Sequence, residues 1–89
     1  MKEAYLEVTF RHGRPLAAYY YLPRGQGQKS YSSRRVDGGL IVDFGRGGHP
    51  VGIEITAPRR LSLAALNRVL RQLGVPLATK DDLAPVLAA

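Results

Sequence analysis

The stretch that decides the fold is GLIVDFGRGGHPVGIEIT, from Gly39 to Thr56. Two short runs rich in β-branched and apolar residues, Leu40–Phe44 and Val51–Thr56, flank the glycine-rich segment Gly45–Pro50. Alternation of apolar with other residues is typical of strands, and a glycine-rich link between two such runs is typical of a hairpin. The stretch therefore predicts two antiparallel strands. Their inward face is formed by Leu40, Val42, Phe44, Val51, Ile53 and Ile55.

Upstream, the same alternation predicts further strands over Tyr5–Phe10 and Leu16–Leu22, and a more polar edge strand over Tyr31–Val36. The segment Pro23–Ser30 lacks periodicity and is predicted to be a flexible loop, while Asp37–Gly39 is typical of a tight turn. The apolar side of the first strand would carry Leu6, Val8 and Phe10. The second strand has two alternate sets that are both apolar enough to be partly covered, namely Leu16, Ala18, Tyr20 and Leu22 on one face and Ala17, Tyr19 and Tyr21 on the other. The sequence thus predicts four or five antiparallel strands in meander order.

After Pro58 the apolar period changes to three and four residues, which predicts a helix over about 62–73. Ser62 is a natural N-cap, and Gly74 is a common helix stop. Thr79 and Asp82 form a second capping pattern, which predicts a short helical tail over about 79–88. The apolar residues of that tail would either complete the core or contact a second subunit. They are Leu83, Val86 and Leu87.

The prediction for the whole chain is a single domain, residues 1–89, of the α+β class. A four- to five-stranded antiparallel β-meander over 4–57 would be covered on one face by the C-terminal helix, with the short helical tail following. The absence of cysteine excludes disulfides and thiolate zinc sites. No apolar run reaches the ~20 residues of a membrane span, and no signal peptide is evident, so we expect a cytoplasmic protein without membrane association.

The chain is basic, with 13 Lys and Arg against 7 Asp and Glu and a net charge of +6. Such a balance favours nucleic acid or an acidic protein as a partner, although coding bias toward arginine would produce it too. Tyrosines beside cations on a sheet can stack bases and hold phosphates. Tyrosines are also simply good strand residues, beside an edge kept soluble by charge. The residues of this candidate surface are Tyr19, Tyr21, Arg24, Lys29, Tyr31, Arg34 and Arg35.

Asp43 and Glu54 fall on neighbouring predicted strands and could share the outer face of the sheet. Paired carboxylates can perform acid–base chemistry or hold a cation. The simpler interpretation is that Asp43 caps the turn and that Glu54 pairs with an arginine. His12 and His49 fall in predicted turns and make a poor zinc set. We therefore predict no catalytic residues, no metal and no cofactor.

The pattern of Leu40–Phe44 followed by Pro50–Ile55 resembles a family of small prokaryotic proteins known as domain of unknown function 2283. Valine-aspartate, a glycine-containing turn and glycine-isoleucine-glutamate-isoleucine carry the resemblance, which extends from Tyr5 to about Pro58. This chain has Gly45 in place of a second acid and a basic opening turn. The resemblance implies a β-meander without established catalytic residues. By analogy with similar small proteins encoded beside toxin-like partners, it also implies an antitoxin-type role.

The leading hypothesis is a small protein-interaction module, forming a homodimer or binding another protein in an antitoxin-like manner. It is motivated by a thin core, open strand edges and the apolar tail. The alternative is binding of single-stranded RNA or DNA through the Tyr/Arg-rich sheet surface. A carboxylate-dependent hydrolase that uses Asp43 and Glu54 is a third hypothesis.

Overall fold

Five strands form an antiparallel sheet in the computed structural model, which describes residues 4–23, 29–36 and 39–87. The strands are β1 (Tyr5–Arg11), β2 (Arg14–Tyr21), β3 (Ser32–Val36), β4 (Leu40–Phe44) and β5 (Pro50–Ile55). They are followed by a 3₁₀ turn (Pro58–Arg60), helix α1 (Leu63–Leu73) and helix α2 (Ala84–Leu87). The predicted α+β class, with a C-terminal helix and a short helical tail, is confirmed. No helix among these residues is long and apolar enough to cross a membrane.

The strand order is β1-β2-β5-β4-β3, which departs from the predicted meander at one connection. The chain leaves β2 and crosses to the opposite edge of the sheet before returning through β4 to β5. Backbone hydrogen bonds fix both ends of this crossing, from Leu22 N to Val51 O (3.1 Å) and from Tyr31 N to Phe44 O (2.8 Å). Residues 24–28 of the predicted flexible loop lie outside the described residues. The crossing places β5 at the centre of the sheet, where both of its edges are paired.

The β1–β2 hairpin turns over two residues with positive φ, His12 at 53° and Gly13 at 75°. That geometry is typical of the type I′ turn, whose twist matches the strands it joins. A bulge between Thr9 and Phe10 shifts the register, so that Phe10 lies opposite Pro15. Phe10 was expected on the apolar side of its strand, but it is 50% exposed, and Leu16 is 55% exposed. The bulge takes Leu16 out of the alternation, because Thr9 lies opposite Ala17 and Phe10 opposite Pro15.

The core lies between one face of the sheet and helix α1. Ser62 Oγ accepts a hydrogen bond from Ala65 N (3.0 Å), and Gly74 ends the helix in the left-handed conformation at φ 71°, as predicted. Helix α1 therefore begins and ends where its capping residues require. The largest fully buried side chains are Tyr20, Leu22, Leu40, Val42, Ile53, Ile55, Leu66, Leu70 and Leu83.

The tail is held against α1 by side-chain hydrogen bonds to backbone groups. Asn67 Nδ2 donates to Ala78 O (3.1 Å), and Asn67 Oδ1 accepts from Ala78 N (2.7 Å). The predicted capping pattern is present, because Thr79 N donates to Asp82 Oδ2 (2.8 Å) and Asp82 N donates to Thr79 Oγ1 (3.3 Å). This arrangement turns the next apolar residues inward.

Leu83 and Val86 complete the core of their own chain, with exposures of 0% and 4%. Of the two expectations for these residues, core completion is therefore the one that the structure supports. They are not accessible as the predicted oligomer contact. Leu87 is 42% exposed and alone remains available from that set.

Candidate functional site

The face of the sheet opposite α1 carries tyrosines and carboxylates from four neighbouring strands. Cross-strand register brings them together, since Tyr5 lies opposite Tyr21, Glu7 opposite Tyr19 and Tyr19 opposite Glu54. We call this surface the tyrosine–carboxylate face. Its residues are Tyr5, Glu7, Tyr19, Tyr21, Asp43 and Glu54.

The three tyrosine rings of this face form a continuous row. Tyr5 stacks on Tyr21 with centroids 4.6 Å apart and an interplanar angle of 16°. Tyr21 meets Tyr19 edge to face at 4.7 Å and 63°. Such aromatic pairs contribute beyond the area they bury and hold the rings in fixed orientations. The Tyr21 hydroxyl also donates to Glu7 Oε1 (3.2 Å), so the row has little rotational freedom.

Asp43 is the buried polar residue beneath this face, with an exposure of 5%. Its carboxylate accepts hydrogen bonds from the Tyr19 hydroxyl at Oδ2 (2.9 Å) and from Ser33 Oγ at Oδ1 (2.6 Å). Tyr19 stands on β2 and Asp43 on β4, so the phenol ring has to cross the intervening strand β5. It does so over Gly52, where a Cβ would overlap the ring.

Glu54 lies beside Asp43, and burial raises its pKa, with the neighbouring Asp43 carboxylate raising it further. Burial and the same carboxylate also raise the pKa of Tyr19, so the phenol remains a proton donor at neutral pH. A groove of 230 Å³ opens next to these groups, lined mainly by short side chains together with Tyr19 and Glu54. The arrangement can therefore accept a hydrogen-bond donor or a cation beside Glu54.

The structure changes the interpretation of the two acids. Asp43 was predicted to cap the turn, and Glu54 was predicted to pair with an arginine. In the described part of the chain, the Asp43 carboxylate is hydrogen-bonded to the hydroxyls of Tyr19 and Ser33 and to the carboxyl group of Glu54. The register between β4 and β5 determines these partners. Asp43 lies opposite Gly52 and Ile41 opposite Glu54, so the Tyr19 ring can reach Asp43 over the glycine. No group of three His, Cys, Asp or Glu residues among those described could hold a metal ion.

A second concave surface lies at the β1–β2 hairpin and is basic. Its cavity of 460 Å³ is lined by Arg11, His12, Arg14, Pro15, Leu16 and Arg59. We call it the arginine cleft. Arg11 and Arg14 lie directly opposite each other on neighbouring strands, and Arg59 comes from the 3₁₀ turn.

The predicted tyrosine–arginine surface is divided in the structure. Tyr19 and Tyr21 donate hydrogen bonds to carboxylates. Tyr31 is 62% exposed, and the Arg46 guanidinium lies 5.7 Å from the centre of its ring. Arg34 lies over Phe44 (5.3 Å), on the face that carries the core. The remaining predicted cations also lie away from the tyrosine row. Arg35 lies on the same face as the tyrosine row but at the β3 edge, with β4 and β5 between it and Tyr19. Lys29 is exposed before β3, and Arg24 lies outside the described residues.

Sequence reasoning missed Tyr5, Glu7 and Ser33 as members of the face. The signal was available for the first two, because a two-residue turn at His12–Gly13 fixes the register of β1 against β2 to within a residue. Nothing local indicated Ser33, since its contact with Asp43 depends on how β3 pairs with β4.

Comparison of the chain with protein-family models, with curated proteins and with solved structures finds no match. The resemblance to domain of unknown function 2283 therefore stays an expectation from the hairpin motif. Function has to be argued from the two surfaces themselves.

Proposed function

We propose that this protein is a small protein-interaction module whose tyrosine–carboxylate face binds a cationic segment of a partner protein. The observation that carries the proposal is the row of three tyrosines beside three carboxylates on the sheet face that α1 leaves uncovered. Tyrosine is enriched at interfaces because it offers a large apolar area and a polar tip at low entropic cost.

Charge determines the kind of partner. Glu7, Asp43 and Glu54 lie together on this face in a chain whose net charge is +6, so the face differs in sign from the molecule as a whole. Lysine and arginine side chains are complementary to it, and the groove beside Tyr19 and Glu54 would take one of them. Neutralisation of a basic partner protein, in the manner of an antitoxin, is one form of this function.

The rings and carboxylates are already held by one another, which lowers the entropy lost on binding. The test is a titration of isotope-labelled protein with a lysine- and arginine-rich peptide and with a glutamate-rich peptide of equal length. Only the cationic peptide should shift the backbone resonances of Tyr5, Tyr19 and Tyr21. Glu7→Gln should weaken binding, while Asp81→Asn, an equal charge loss at an exposed site in the tail, should not. Equal weakening by the two variants would refute the assignment to this face.

Self-association through the β1 edge is the homodimeric form of the proposal. The strand at the free edge, β1, carries one charge of each sign, Glu7 and Arg11, while β3 at the other edge carries two positive charges, Arg34 and Arg35, which discourage pairing. Antiparallel pairing of two β1 strands about Val8 would set the exposed Phe10 of one copy against Leu6 of the other. The strand is seven residues long and is centred on Val8, so this register uses its whole length.

Light scattering across micromolar concentrations tests this edge. We expect a mass of two chains that falls to one chain on dilution, and a single-chain mass for Phe10→Lys throughout. Leu16→Lys, at a similarly exposed residue displaced by the bulge, is the matched control and should still dimerise. A single-chain mass for the wild type at all concentrations would exclude the dimer.

The alternative, nucleic-acid binding on a tyrosine–arginine sheet surface, has less support. It requires aromatic and cationic side chains on one surface, and here the tyrosine row is paired with carboxylates that repel phosphate. It stays a prediction, tested by binding of single-stranded RNA at low salt.

A further inference from the structure

We propose that the arginine cleft is a binding site for a terminal phosphate group, carried as a phosphate monoester or a pyrophosphate. The cleft shares no residue with the tyrosine–carboxylate face, so this inference is independent of the proposed protein-interaction function. Three arginines line one cavity, two from the β1–β2 hairpin and one from the 3₁₀ turn. No carboxylate lines it.

The charges of the cleft are uncompensated within the described part of the chain. Arg11 and Arg14 lie directly opposite each other, and like charges in that relation destabilise a sheet. The rigid two-residue turn at His12–Gly13 holds the two strands together at this point. A bound anion would relieve the repulsion, so the cleft has an electrostatic reason to take one.

The chemistry of the lining indicates which anion fits. The guanidinium fork matches phosphate oxygens two at a time, which a point charge cannot do. A phosphate monoester carries a charge of about −1.5 to −2 at neutral pH, compared with about −1 for a backbone diester, and three arginines favour the higher charge.

The cavity also has room for the group that the phosphate is attached to. Its 460 Å³ lies within the range of small-molecule sites, about 300–1,000 Å³. Pro15 and Leu16 supply an apolar wall, and Leu16 is 55% exposed there because of the bulge. Two sources carry such a phosphate: a phosphorylated small molecule and the phosphorylated 5′ end of a nucleic-acid strand.

Calorimetric titration and thermal unfolding with defined probes test the proposal. Adenosine 5′-monophosphate and pyrophosphate should bind and raise the unfolding temperature, whereas adenosine should do neither. Arg11→Gln and Arg59→Gln should each weaken binding at least about tenfold. Arg68→Gln, which removes an exposed arginine from α1, is the control for net charge and should have little effect.

Circular dichroism checks that the variants fold. Arg11→Lys provides a second variant that keeps the positive charge but lacks the forked guanidinium group. Without ligand, Arg11→Gln should unfold at the same or a higher temperature, because the repulsion with Arg14 is gone. A short oligonucleotide with and without a 5′-phosphate distinguishes the sources. Preference for the phosphorylated strand indicates a nucleic-acid end, and binding of the nucleotide alone indicates a small molecule.

The proposal would be overturned by equal binding of adenosine and its monophosphate, by binding of both oligonucleotides without preference for the 5′-phosphate, or by equal weakening by Arg68→Gln and Arg11→Gln. The last would mean attraction to net charge alone. Absence of binding at millimolar monophosphate and pyrophosphate would overturn it as well.

Discussion

Replacement of Gly52 by alanine should disrupt the tyrosine–carboxylate face from beneath. The new Cβ would overlap the Tyr19 ring and its hydroxyl, so the ring has to swing off β5. The hydrogen bond to Asp43 would then be lost, leaving a carboxylate that is 5% exposed with Ser33 as its remaining hydroxyl donor. The edge contact of Tyr19 with Tyr21 would be lost too.

The magnitude follows from these contacts. A hydrogen bond to a charged group contributes about 1.5–3 kcal/mol, and an aromatic pair adds about 0.5–1.5 kcal/mol. Alanine is better than glycine inside a strand by about 0.5–1 kcal/mol, which offsets part of the loss. We expect Gly52→Ala to lower the free energy of unfolding by about 2–3 kcal/mol, which in a domain of this size lowers the unfolding temperature by roughly 10 °C or more.

Urea unfolding of a double-mutant cycle measures the coupling between Gly52 and Tyr19. In a Tyr19→Ala background the overlap is absent, so Gly52→Ala should be neutral or stabilising. Gly47→Ala is the control, because Gly47 is exposed in the β4–β5 turn and its Cβ would meet no atom closer than 3.5 Å. If Gly52→Ala costs the same with and without Tyr19, the reasoning from the ring crossing is refuted.

Three further changes probe the face, the tail and the core. The raised pKa of Glu54 means that the folded state holds its proton more tightly, so stability falls as pH rises through the window between the unfolded and folded pKa values. Glu54→Gln should therefore be more stable than wild type at pH 7 and equal to it at pH 3 in thermal melts; a constant difference across pH would contradict this. Asn67→Ala leaves Ala78 N–H and C=O without their partner and should cost about 1–3 kcal/mol in urea unfolding, unlike Gln72→Ala on the exposed side of α1. Leu83→Ala should cost about 2–5 kcal/mol because Leu83 is fully buried, and a cost below 1 kcal/mol would mean that the tail is not part of the core.

The fold was predictable wherever local patterning determines it. Alternation in Leu40–Phe44 and Val51–Thr56 set the inward faces correctly, and Ser62 and Gly74 set the ends of α1. These features depend on neighbours in the chain, whose positions the periods of strand and helix fix. The crossing from β2 to β3 was not predictable in this way, because a loop of that length fits a hairpin equally well.

The candidate site was less predictable than the fold, because each of its contacts depends on pairing between strands. Asp43 and Glu54 were recognised as neighbours, but their partners were assigned to a turn and to arginine. The bond from Tyr19 to Asp43 spans two strand spacings and exists only because β5 lies between β2 and β4. Once the strand order is known, Gly52 explains how the ring crosses.

The crossing connection leaves the sheet in two locally connected parts that are joined where β2 pairs with β5, and we call this pairing the seam. The hairpin β1–β2 and the unit β3–β4–β5 are each closed by local turns, and they meet along four residue pairs, from Ala18 opposite Ile55 to Tyr21 opposite Gly52. Because these partners are far apart in the chain, the seam carries the loop-closure cost of folding and is the natural place for partial opening. Tyr19 stabilises this seam because its hydroxyl donates a hydrogen bond to Asp43 on the far side of β5. Hydrogen exchange should therefore show β1 and β2 opening together, and Tyr19→Phe should speed exchange in that hairpin more than in β4.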